Sequence, residues 1–345
     1  MQESSHIPPS SAEKIPFQLD VGGFPMDDDN NTSSGDTGTG RFEDFMFSKA
    51  MKERGCQLLL QKLQERKVED IQMIFSEVKD CICQLMFDQF GSDVILKLFE
   101  VCNEEQKNQL VSAVTADALL LISVCIDPQG SETMQKFLGF PMEQKQISRI
   151  MRFFKYFAVP LANHPSGSQV IAECFKIFPP PAEETQPMLH TIASDCLELA
   201  VDENGSSILK ILLSSYERDI VERILSNTIY LSTDEYGSSV IQHLIGLEKP
   251  YVLQRLVDEM QEFFTFLSYN NKYGTDVVKK LIGASRAKYA PQIISQMIND
   301  PCLLAALADP HGYSLLKYAK KYAKGTDLKT LNDMICQYSR PLKKK

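Results

Sequence analysis

One short pattern returns eight times along this chain, and it limits the possible fold more than any bulk property does. It reads KERGCQLLLQ at 52–61, DQFGSDVILK at 88–97, DPQGSETMQK at 127–136 and HPSGSQVIAE at 164–173. It continues as DENGSSILKI at 202–211, DEYGSSVIQH at 234–243, NKYGTDVVKK at 271–280 and DPHGYSLLKY at 309–318. The glycines stand at 55, 91, 130, 167, 205, 237, 274 and 312, at separations of 36, 39, 37, 38, 32, 37 and 38 residues. A near-constant period of this length is the signature of a repeat protein, in which each unit buries its apolar side against its neighbours.

Each unit has a physical reading. Apolar segments such as LELAV (197–201) and FFTFL (263–267) end one helix. The Asp/Asn-x-x-Gly that follows supplies turn chemistry, with a glycine tolerant of unusual backbone, and the next helix starts near it. On a wheel of about 100° per residue, the third, fourth and seventh residues after the glycine share one side. Pairs such as Ile208/Leu209 and Val277/Val278 make that side the core face. The first, second and fifth residues form the opposite stripe and are mostly polar. The expectation is an all-α solenoid in which eight such stripes align into one long presenting surface.

Composition narrows the chemistry. The nine cysteines include no CxxC pair and the five histidines are scattered, so zinc-ligand spacing is missing and no metal is expected. Buried free thiols in a reducing compartment fit this usage better than disulfides. His164, His190, His243 and His311 fall at different places in their repeats, and neither a serine elbow nor an HExxH helix is present. These observations argue against an enzyme and for a chain with no cofactor. GDTGTG (35–40) resembles a phosphate loop only superficially, because no apolar strand leads into it. The N-terminal residues lack the basic and apolar regions of a secretory signal, and the longest apolar run, ALLLISVCI (118–126), is too short to span a bilayer. A soluble intracellular protein is expected.

Charge is unevenly distributed. The net charge is −9, yet residues 1–40 carry seven acids and one base, whereas residues 271–345 carry five acids and 14 bases. The C-terminal fifth, with its cluster Lys317, Lys320, Lys321 and Lys324, is thus a basic end on an acidic body that is able to steer a polyanion. Residues 1–41, rich in Ser, Pro, Gly and Asp, read as a disordered acidic leader, residues 42–340 as the repeat domain, and 341–345 as a basic tail.

At DEYGSSVIQHLI (234–245), NKYGTDVVKKLI (271–282) and DQFGSDVILKLF (88–99) the sequence resembles the Pumilio (PUF) family, as a divergent member. The resemblance implies a right-handed superhelical α-solenoid of eight Pumilio-type repeats that acts as a monomer and reads about one RNA base per repeat, with the RNA running antiparallel to the protein. In that family the first and fifth residues after the glycine meet a base edge and the second stacks between bases. Carried over, the base-edge pairs are Cys56/Leu60, Ser92/Leu96, Ser131/Gln135, Ser168/Ala172, Ser206/Lys210, Ser238/Gln242, Thr275/Lys279 and Tyr313/Lys317. The stacking positions are Gln57, Asp93, Glu132, Gln169, Ser207, Ser239, Asp276 and Ser314.

Ser131/Gln135 and Ser238/Gln242 resemble adenine readers, since Gln offers both a donor and an acceptor. The stacking row holds no aromatic or arginine, the residues the family usually places there. The resemblance implies a cytoplasmic, sequence-selective binder of single-stranded RNA on messenger 3′ untranslated regions, acting with protein effectors on translation and mRNA stability. The alternative is a PUF-derived scaffold that binds proteins, with weak or no RNA affinity.

Overall fold

In the computed structural model, which describes residues 48–339 apart from 181, 216 and 217, the recurring Asp-x-x-Gly proves to be a helix start. Asp88 is the N-cap of the helix Gln89–Val101, and its Oδ1 accepts from the backbone N–H of Phe90 at 2.9 Å and Gly91 at 2.7 Å. Asp127, Asp202, Asp234, Asn271 and Asp309 cap their helices in the same way, each bonding at least the glycine N–H. Such a cap contributes about 1 kcal/mol by satisfying donors that the first helical turn leaves open. Repeat 4 uses His164 instead, through Nδ1. In repeat 1, Lys52 holds the cap place and makes no side-chain cap bond.

The glycine is not a turn residue, which corrects the expectation from its spacing. It lies inside the first helical turn, and among the described glycines only Gly325 has positive φ. What requires glycine is proximity. A Cβ on Gly237 would stand 2.7 Å from the Leu231 carbonyl oxygen, and one on Gly130 would stand 2.4 Å from that of Val124. The glycine therefore lets each signature helix lie against the short helix that precedes it.

A typical repeat is a short helix, the signature helix and a third helix, as in Thr228–Thr233, Glu235–Gly246 and Pro250–Glu259. In repeat 7 the signature helix continues without a break to Asn299. The eight signature helices pack side by side in chain order, from Glu53–Gln64 to Pro310–Ala319. Third helices such as Arg218–Leu225 and Pro250–Glu259 pack against one another likewise. The result is an all-helical solenoid whose core runs between these layers. No single helix among the described residues is long and apolar enough to cross a membrane. The leader, GDTGTG and the basic tail lie outside the described residues.

Within repeats 2–8 the third and fourth residues after the glycine are buried as expected. Thr133, in the third place of repeat 3, satisfies its hydroxyl by donating to the Met86 carbonyl at 3.1 Å. Phe99 and Phe137, with centroids 4.5 Å apart, join the cores of repeats 2 and 3. Repeat 1 departs from the pattern: Leu58 is 52% exposed, and Cys56, Leu59 and Leu63 face inward instead. Six of the nine cysteines are buried free thiols, while Cys81 is half-buried and Cys302 and Cys336 are exposed. Burial pushes Cys83 and Cys102 up to about 12, so both stay protonated and unreactive.

Candidate nucleic-acid interface

The row of signature helices sets the three stripe positions at different depths. The second residues are the outermost. Gln57, Asp93, Glu132, Gln169, Ser207 and Ser314 are exposed, and Ser239 and Asp276 are half-buried. Among the fifth residues, Lys317 is exposed, and Leu60, Leu96, Gln135, Ala172, Lys210, Gln242 and Lys279 are half-buried.

The first residues do not share this surface. Cys56, Ser92, Ser131, Ser168, Ser206, Ser238 and Thr275 are only 1–9% exposed, and Tyr313 alone is half-buried. Two causes act together. Each hydroxyl turns back on its own helix: Ser92 donates to the Gln89 carbonyl at 2.9 Å, Ser131 to Pro128 at 3.0 Å and Ser238 to Glu235 at 2.9 Å. The residue before the next glycine then covers it, as Gln129 does by donating to Ser92 Oγ at 3.3 Å. Cys56 donates to the Phe90 carbonyl at 3.3 Å by the same relation. Where the first position is Ser or Thr it thus offers at most a hydroxyl oxygen as an acceptor, because its hydrogen is already committed.

Second and fifth residues meet across repeat boundaries. Lys279 Nζ donates to Ser314 Oγ at 2.8 Å, from the fifth place of repeat 7 to the second place of repeat 8. Gln135 Nε2 reaches Gln169 Oε1 by the same step between repeats 3 and 4. Second and fifth residues are thus bonded across two repeat boundaries, while Leu60, Leu96 and Ala172 make the fifth places of repeats 1, 2 and 4 apolar. The two glutamines are not equivalent. Gln135 also donates to the Ser131 carbonyl at 3.2 Å, which occupies both its hydrogens. Gln242 makes no side-chain hydrogen bond to a described residue, so its amide presents donor and acceptor together.

Electrostatics vary along the row. Glu132 is paired with Lys136 at 2.8 Å, and Asp93, close to Cys56, helps burial to raise that thiol. Burial lowers the pKa of Lys210. Lys317, Lys320, Lys321 and Lys324 are all exposed near the C-terminal end. No group of three or more His, Cys, Asp or Glu side chains among the described residues is arranged to hold a metal ion. His243 stands beside the row at the sixth place after Gly237, with Nε2 3.0 Å from Ser214 Oγ of the preceding repeat, a pairing set by the register between successive helices and not by spacing.

A family model described as the Pumilio-family RNA binding repeat matches residues 81–115 and 227–261, the segments around Gly91 and Gly237. Pumilio homolog 12 of Arabidopsis thaliana is 31% identical over 290 residues, covering 83% of this chain and 48% of that protein. Pumilio homolog 11 of the same plant is 27% identical over 302 residues, covering 85% and 52%. The chain thus spans about half the length of these curated relatives. Among solved structures, the Puf4 RNA binding domain bound to an RNA 3′ UTR recognition sequence superposes with a TM-score of 0.71 at 22% identity, covering 84% of this chain and 92% of that one. The RNA-binding domain of yeast Puf5p bound to MFA2 RNA gives 0.69 at 20%, covering 85% and 88%. With the capped glycine helices stacked in order beneath these matches, the chain belongs to the Pumilio family.

Proposed function

We propose that this protein binds single-stranded RNA along its signature helices and reads selected bases through the fifth residue of each repeat. The observation that carries this reading is the alignment of second and fifth residues along the stacked signature helices, bonded across repeat boundaries at Gln135/Gln169 and Lys279/Ser314. A surface that advances one helix per repeat suits a linear polymer of regularly spaced bases. Gln242, with its free amide, is the strongest base reader, and the exposed C-terminal lysines supply attraction to phosphates. Relatives named Pumilio homologs and similar domains solved with RNA support the assignment. On this reading the protein acts in the cytoplasm, as a monomer with protein effectors, on 3′ untranslated regions and so on translation and mRNA stability.

A second reading has its own support. The second row carries Asp93, Glu132 and Asp276 and no aromatic, so it supplies neither the stacking of about 1–3 kcal/mol per base nor phosphate attraction there. A protein-binding scaffold fits that feature. The substitution Gln242→Glu separates the two. A base reader shifts its preference at one base, by about 1–3 kcal/mol, and keeps the others. An unchanged profile at every base removes Gln242 from the reading role.

A further inference from the structure

The helix Gln144–Ala162 packs against Glu104–Val114 and Gln186–Ser194, the third helices of repeats 2 and 4, and so lies across the core from the signature row. Its buried side carries Ile150, Met151, Phe154, Ala158 and Leu161. At about 100° per residue, Lys145, Ser148, Arg149, Arg152, Lys155 and Tyr156 fall within an arc of about 120° on the opposite side. All six are exposed. The helix contains no Asp or Glu, so its cations stand along one stripe about 15 Å long.

The stripe lacks a counter-charge. Lys62, Lys97, Lys107, Lys136 and Lys176 each pair with a carboxylate, but among the described residues none of Lys145, Arg149, Arg152 and Lys155 forms an ion pair. In a chain of net charge −9, such a stripe is a local exception. Arg149 is also held in place. Its Nε donates at 2.7 Å to Thr115 Oγ1, at the end of the preceding third helix. That bond orients the guanidinium and, among the described residues, leaves both terminal NH2 groups for a carboxylate. Beside these cations Tyr156 is 68% exposed, with Lys155 Nζ 5.5 Å from its ring centre. Its ring adds an apolar face to an anion-binding stripe.

We propose that this stripe docks an acidic segment of a partner protein, extended along the helix, with carboxylates on Arg149 and Arg152 and an apolar side chain against Tyr156. Alternate side chains of an extended peptide face the same way about 6.5 Å apart, so about five residues span the stripe. Cations three or four residues apart on a helix are separated by about 4.5–6 Å along its axis, close to that spacing. Arginine and tyrosine are among the residue types that most often anchor protein interfaces. Because the stripe lies across the core from the signature row, the segment and RNA occupy separate surfaces. The site goes beyond the RNA-binding reading and does not rest on it.

The test selects peptides from a random displayed library with the full chain and titrates the labelled winners against the wild type and Arg152→Glu. Arg152 is exposed and its side chain makes no hydrogen bond or ion pair to a described residue, so the reversal leaves the core intact. Winners should be rich in Asp and Glu, bind more weakly as salt rises, and lose about tenfold or more in affinity for Arg152→Glu. No winners, winners without acidic residues, or acidic winners that bind both proteins equally overturn the proposal. RNA selected by the wild type should bind both proteins alike. If Arg152→Glu weakens that RNA whatever its bases, and no peptide depends on Arg152, the stripe holds RNA backbone and the proposal is overturned. If the wild type selects no RNA while acidic peptides require Arg152, the RNA-binding reading fails and the docking site stands.

Discussion

Gln135 Nε2 lies 3.4 Å from Gln169 Oε1, tying the reading residue of repeat 3 to the outermost residue of repeat 4. With its other hydrogen on the Ser131 carbonyl, Gln135 turns only its Oε1 outward. It should therefore favour a base edge that donates, such as an exocyclic amine, whereas Gln242 presents both donor and acceptor. Gln169→Leu frees one hydrogen and should relax preference at the base facing repeat 3, about threefold to tenfold, or roughly 1 kcal/mol, a typical value for one hydrogen bond. Gln169→Glu keeps the acceptor and should retain the preference. Binding to RNAs varied at that single base provides the readout, and equal profiles for all three proteins would remove Gln169 from this role.

The empty stacking row makes a gain of affinity available. Ser207 is exposed at the second place of repeat 5, and its hydroxyl makes only a 3.4 Å bond to the Glu203 carbonyl. Ser207→Tyr offers a base face for stacking and should tighten RNA binding by about 1–3 kcal/mol with little change in base preference. Equilibrium titration of one RNA against both proteins checks this. Unchanged affinity would show that bases do not pass between repeats 4 and 5.

Two glycines should respond oppositely to alanine. Gly237→Ala forces a methyl to 2.7 Å from the Leu231 carbonyl oxygen, backbone that cannot yield without parting two helices, and should cost about 1–3 kcal/mol. Gly246, at the exposed end of the same helix, meets nothing closer than 3.7 Å, so Gly246→Ala should be neutral or stabilise by up to about 1 kcal/mol. Urea unfolding midpoints distinguish the pair, and a neutral Gly237→Ala would contradict the close-approach account.

His164 makes repeat 4 sensitive to acid. Its Nδ1 accepts from the Ser166 and Gly167 N–H groups only while that nitrogen is unprotonated, and burial lowers the pKa of the folded ring. The unfolded chain, with an ordinary pKa of about 6.5, takes up the proton first as pH falls. The cap's contribution is thus fully present above that value and is lost as pH drops toward the folded pKa. His164→Asp restores the cap used by most other repeats, and its melting temperature should fall less between about pH 7.5 and 5.5 than that of the wild type. Parallel losses would show that His164 is not the sensitive group.

How much was legible follows from which relationships are local. The repeat number, the helix starts and core pairs such as Val240/Ile241 depend on residues a few places apart, so spacing alone exposed them. The role of Gly237 was misread because the Leu231 carbonyl that demands it belongs to the previous helix. Ser92 was placed on the outer stripe, yet Gln129, 37 residues later, covers it. Leu58 falls on the expected core face, yet in repeat 1 it is 52% exposed, while Cys56, Leu59 and Leu63 face inward. The 3.0 Å approach of Ser214 Oγ to His243 Nε2 likewise depends on how repeats 5 and 6 are offset, a property of packing and not of sequence period.

The central claim is that the row across the signature helices reads RNA, and selection from a random RNA pool by the full chain at two salt concentrations tests it most directly. Repeats 3 and 6 carry Gln135 and Gln242 with two repeats between them, so the account predicts enrichment of a short motif holding two adenines separated by two bases, retained at the higher salt. Binding to every RNA alike, lost as salt rises and with no motif enriched, would contradict it.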